Sequence, residues 1–281
     1  SQIQALGDDV SVLSATQIKG LTTEQIAGLS TAQVEKLSAT QIKALSVAQV
    51  AAIETADLAK FNTEQIAALS AAQVKGMGTE QIKALSTDQV KGLQDAQIKA
   101  LSTDQIKQLG TAQIAALETS QIKSLTAAQL SSMGTDQIAA IETQDLVELT
   151  AAQLKNLGSD SIKALTTSQA AALTATQVAS LSANQIQAME TQDLAKISTS
   201  GIQALTANQV KALTTGQVQN LTTDQITSLG STQISSLTTD QVQSLTTTQV
   251  KSLTTDQTSA MTPAQIGAMT TDQIQQLAIP Q

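Results

Sequence analysis

Three stretches carry carboxylates at a spacing that could do chemistry: Ile53-Glu54-Thr55-Ala56-Asp57, Ile141-Glu142-Thr143-Gln144-Asp145 and Met189-Glu190-Thr191-Gln192-Asp193. In each, a Glu and an Asp three residues apart could offer oxygens to Ca²⁺, which takes about six to eight ligands. Two carboxylates are too few alone, and the stretches read more simply as acidic variants of a helix-capping segment. Ser and Thr hydroxyls abound, but the chain has no His to activate them and no Cys, so nucleophilic catalysis lacks its base and its thiolate. The remaining acids recur at even intervals instead of converging on a pocket that could shift their pKa. We therefore expect no enzyme, no catalytic, cofactor-binding or metal-binding residues, and no cofactor.

The elements that would position such residues are set by a repeat. Residues 13–276 hold 33 octads in unbroken phase, each written Leu-Ser/Thr-x-x-Gln-Ile/Val-x-x. Position 1 is apolar at every occurrence from Leu13 to Leu277, including Ile53, Phe61, Met77 and Met133. Position 6 is Ile, Val or Leu except at Ala170 and Thr258, and position 5 is Gln except at Asp57, Asp145, Asp193, Ser161 and Gly201. Such strict self-similarity marks an array of stacked units. We expect one continuous array over residues 1–281, with a short irregular unit at 6–12. The array is already running at Ser1 and stops just after Leu277, without polar caps, which suggests an excerpt or ends covered by other subunits.

A continuous helix cannot bury this pattern, because eight residues at about 100° each rotate the apolar columns by about 80° per octad. A continuous strand fails too, since positions 1 and 6 would face opposite sides. The chain must bend once per octad. With position 2 as N-cap, position 5 becomes N3, giving the Ser/Thr-x-x-Gln capping box; positions 1 and 6 become the hydrophobic staple, as in Leu29 with Val34. Pro263 falls at N1 in this register, where its missing donor costs nothing. Where position 2 is neither Ser nor Thr, as at Glu54, Gly78 and Gln94, position 3 is Thr, Ser or Asp, and a substitute cap is expected from it. Acids at position 4, such as Asp104 and Asp224, suit the helix start, and most lysines sit at position 7 near its end. The predicted fold is all-α: a solenoid or superhelix of very short helices of about six residues, one per octad. The run of Ser/Thr at position 2 in every third octad from Ser102 hints at a 24-residue turn; a two-octad turn stays open.

Charge narrows the partners. A net charge of −8, from 23 acids against 15 lysines with no Arg, argues against nucleic acid and anionic membrane surfaces. No apolar run approaches the ~20 residues of a membrane span. Thr-Thr pairs at positions 2 and 3 in the C-terminal third could array hydroxyls toward ice or a surface glycan, although capping accounts for most of them.

Two resemblances follow from these residues. Met261-Thr262-Pro263-Ala264-Gln265-Ile266 resembles the first helix of the TAL-effector DNA-binding repeat, but that repeat is about four times longer and its base-reading loop has no counterpart here. The unit Leu221-Thr222-Thr223-Asp224-Gln225-Ile226 is similar to tandem octapeptides of very large secreted or surface proteins of Gram-negative bacteria, often called adhesins. That resemblance covers nearly the whole chain and implies an extracellular or cell-surface stalk, spacer or self-assembling filament, with end-to-end or lateral self-association. The alternative is a repeat module presenting its Thr/Gln/Asp face to glycan, ice or calcium.

Overall fold

The computed structural model describes residue 7 and residues 9–277. The irregular unit at 6–12 lies partly outside these residues; within them Val10–Val12 form one 3₁₀ turn. The chain ends at 1–6 and 278–281 lie outside them entirely. From α1 (Ala15–Lys19) to α33 (Thr271–Gln276), each octad of the regular phase forms one α-helix of four to six residues, with no strand among the described residues.

The helix starts follow the predicted chemistry. In α12 (Thr103–Gln108) the backbone N–H of Gln105 donates to Ser102 Oγ at 3.2 Å, and the N–H of Ser102 donates to Gln105 Oε1 at 2.8 Å. Ser102 is extended (φ −70°, ψ 161°), and the helix stops where Leu109 becomes extended again (φ −64°, ψ 127°). Positions 1 and 2 thus form the corner. Pro263 opens α32 (Pro263–Ala268) at N1, as expected.

One detail differs from expectation. Where position 2 cannot cap, position 3 does not take over: Gly78, Gln94 and Gly110 remain the N-caps and accept no side-chain cap bond. The N–H of each is still taken by the Gln three residues later. Half of the box therefore survives without a cap oxygen, because the Gln side chain supplies it from the other direction.

The chain divides into two compact units, Ser1–Ile141 and Glu142–Gln281. Within each, helices stack on the third helix along the chain. In the first unit α1 packs on α4 (Ala39–Ala44) and α4 on α7 (Thr63–Ala68); in the second α21 (Ala175–Ser180), α24 (Thr199–Gln203) and α27 (Thr223–Ser228) stack in succession. One turn is therefore three octads, 24 residues, which resolves the ambiguity left by the sequence.

Positions 1 and 6 line the interior of each turn. Ile98 is 0 % exposed and Leu101 4 %, so a typical octad removes two large aliphatics from water, about 1.5–3 kcal/mol apiece. Helices this short do not persist alone, and this burial between turns holds them. Position 8 meets position 3 of the octad one turn earlier. A Cβ on Gly76 would collide with Val47 Cγ1, and one on Gly92 would lie 3.1 Å from Thr63 Cβ, which explains the small residues at position 8.

Candidate functional site

The most organised polar feature in either unit is the column of position-5 glutamines. Its signature is that a capping box tolerates Glu as readily as Gln, yet no octad carries Glu there. The reason is that the amide works at both ends. Gln105 Oε1 accepts from its own helix start, while its Nε2 donates to the carbonyls of Val74 at 3.0 Å and Met77 at 2.8 Å. Those carbonyls belong to the corner between α8 (Ala71–Gly76) and α9 (Thr79–Lys83), one turn below. In the second unit, Gln217 accepts from Thr214 N–H at 2.9 Å and donates to the carbonyls of Ile186 at 2.9 Å and Met189 at 2.7 Å.

Helix C-termini leave carbonyls without intrahelical partners. Where position 5 is Gln, the corner's carbonyls receive an amide from the turn above, and buried polar groups require such partners. Gln105 is 1 % exposed and Gln217 2 %, and among the described residues no buried side-chain N or O lacks a hydrogen bond. Sequence reasoning assigned the capping half of this role and missed the clamp between turns; the exclusion of Glu was the signal available.

The acidic octads break this ladder. Asp57 is 6 % exposed and Asp193 3 %, and each accepts from a Thr hydroxyl one turn below: Thr31 to Asp57 and Thr167 to Asp193, both at 2.7 Å. Their helices shorten to four residues, α6 (Thr55–Leu58) and α23 (Thr191–Leu194), as does α17 (Thr143–Leu146) with its buried Asp145. Glu54 and Glu142 are exposed and Glu190 is half-buried. Glu142 and Glu190 accept from Gln144 and Gln192 at 2.8 and 3.1 Å. The structure thus sends the two carboxylates of each octad to different environments, Asp inward and Glu outward. Among the described residues, no group of three or more His, Cys, Asp or Glu is placed to hold a metal ion.

The remaining surface is lightly charged. Lys91 meets Glu118 at 3.7 Å and Lys107 meets Asp104 at 3.8 Å, all well exposed, and such pairs contribute about 0–1 kcal/mol. Two open hollows mark the first unit. One, of about 540 Å³, includes Lys19, Lys43 and Val47; the other, of about 400 Å³, holds the Lys91–Glu118 pair and a Ser120–Asp95 hydrogen bond of 3.0 Å. In the second unit the position-3 hydroxyls, released from capping, form a column one turn apart: Thr199, Thr247 and Thr271 are exposed and Thr223 half-buried. No helix among the described residues is long and apolar enough to cross a membrane.

A model of the ALTTAQ repeat matches residues 5–39, 50–87, 82–111, 106–140, 138–175 and 186–223, more than half of the chain. No curated protein matches it.

Proposed function

The chain belongs to the ALTTAQ repeat family, and on that premise we propose that it is a non-enzymatic structural element, a stalk or spacer of a bacterial cell-surface or secreted protein. The observation that carries this reading is the glutamine clamp. Because Gln105 or Gln217 braces its turn to the one below with side chains already in the repeat, turns can be added without a specialised interface. Length is then the property the sequence sets. Self-association, end to end or side by side, would extend the same logic between chains.

The test is direct. In variants lacking or duplicating whole 24-residue turns inside residues 205–276, small-angle scattering should show maximum dimension changing by a constant step per turn while helicity per residue stays fixed. A dimension independent of turn number would refute the spacer role. Fractionation of the source cells, probed with an antibody to the repeat, should place the chain outside the cytoplasm; a purely cytoplasmic signal overturns the surface assignment.

A second reading rests on the exposed column of Thr199, Thr247 and Thr271, whose hydroxyls repeat along one side and suit a polar, uncharged polymer such as a surface glycan. Glycan-array binding that falls when these residues become Val would support it. Absence of binding to any glycan leaves the spacer reading alone.

A further inference from the structure

Three departures from the repeat converge on one boundary between turns in the second unit, and we propose that this boundary, between residues 165–180 and 189–204, is a built-in yield point where the unit opens first. The octads 189–196 and 197–204 are consecutive, and neither has Gln at position 5. Asp193 uses its carboxylate to accept from Thr167 at 2.7 Å, and a carboxylate donates nothing to a carbonyl. Gly201 has no side chain at all. The corner carbonyls that a Gln would reach, 31 and 28 residues earlier, are those of Ile162 and Leu165 below Asp193 and of Ala170 and Leu173 below Gly201; they receive no amide from above. In the turns just beyond, Gln209 clamps Val178 and Leu181 at 3.0 and 2.7 Å, and Gln217 clamps Ile186 and Met189.

The apolar side of the same boundary is thinned as well. Ala170 is fully buried at position 6, where nearly every other octad has Ile, Val or Leu. Removing such atoms from a core costs both transfer energy and packing. A Cβ built on Gly201 would lie 2.6 Å from Ile197 Cγ2 and 3.4 Å from Val178 Cγ2, so neighbours have settled into the space a Gln side chain would fill. Missing clamps, a buried carboxylate and a reduced aliphatic column all weaken one contact, while the octads of 205–252 retain the full set. Regions of low local stability open independently of the rest, and stacked repeats permit this because each turn contacts only its neighbours.

This inference adds a place of failure to the spacer reading, and it rests on that reading only for the claim that load falls on the chain. Hydrogen exchange of the whole chain tests the boundary itself. Amides in 165–204 should exchange faster than those in 205–252, and D193Q, which restores the clamp on Ile162 and Leu165 without entering the filled space beside Gly201, should slow them by about tenfold. The converse substitution Gln217→Asp should create a second fast segment at 186–217. Equal protection on both sides of Leu205 overturns the proposal, as does a fast segment that the restored glutamine fails to slow. Single-molecule stretching then separates the two readings: a first rupture releasing the length of this segment, shifted to higher force in D193Q, supports the load-bearing role, and a rupture elsewhere while the exchange pattern holds refutes that role alone.

Discussion

At position 5 an amide does what no carboxylate of similar shape can do. Gln105 accepts at the start of its own helix and donates into the corner beneath; Glu would keep the first bond and set its oxygens against two carbonyls. Leaving buried polar groups unsatisfied costs about 1–3 kcal/mol, more when one is charged. Q105E should therefore destabilise the turns around it by about 2–3 kcal/mol, whereas S102A, losing only a cap, should cost about 1 kcal/mol. Local hydrogen exchange across residues 74–109 would read both. The same logic governs the acidic octads. With Asp57 and Asp193 buried on threonines and their Glu partners outside, millimolar Ca²⁺ should leave the melting temperature unchanged; a Ca²⁺-dependent rise would mean that the carboxylates assemble after all.

Individual helices are defined by their corners. Position 2 is extended in every regular octad, and Thr254 has φ −74° and ψ 163°, close to the φ −75° and ψ 158° of Thr262 before Pro263. A proline at position 3 demands this backbone of its predecessor and needs no hydrogen bond at N1. Thr255→Pro should thus be tolerated or stabilise by about 0.4–1 kcal/mol through the unfolded chain, as circular dichroism during thermal melting would reveal. Packing between elements is less forgiving. Gly76→Ala would drive a methyl into Val47 and should cost about 1–3 kcal/mol as overpacking, relieved when Val47→Ala is added; a double-mutant cycle measures that coupling.

Across each unit, stability is a sum over neighbouring turns. Ile82 and Leu85 are both buried in the first unit, and replacing both with Asp puts charge into a dry interior. The expected outcome is melting of the adjoining turns while the rest of the unit keeps its protection, because contacts run only from one turn to the next. Simultaneous loss of protection throughout Ser1–Ile141 would show cooperativity of a globular kind and contradict the stacked architecture.

The sequence by itself determined the helix. Ser102 with Gln105, Leu29 with Val34 and Pro263 at N1 are local signals, acting over three to five residues, and a local interaction is legible wherever its partners are close in the chain. The absence of His and Cys and the even spacing of acids likewise set the chemical character without reference to folding. The three-octad turn, the amide of Gln105 reaching carbonyls 31 and 28 residues earlier, the fit of Gly76 to Val47 and the burial of Asp193 beside Thr167 were decided only by the tertiary structure. These contacts join residues that the octad makes nearly equivalent, so the pattern marks every turn alike. Which octad lies beneath which follows from how far the chain travels before it stacks upon itself.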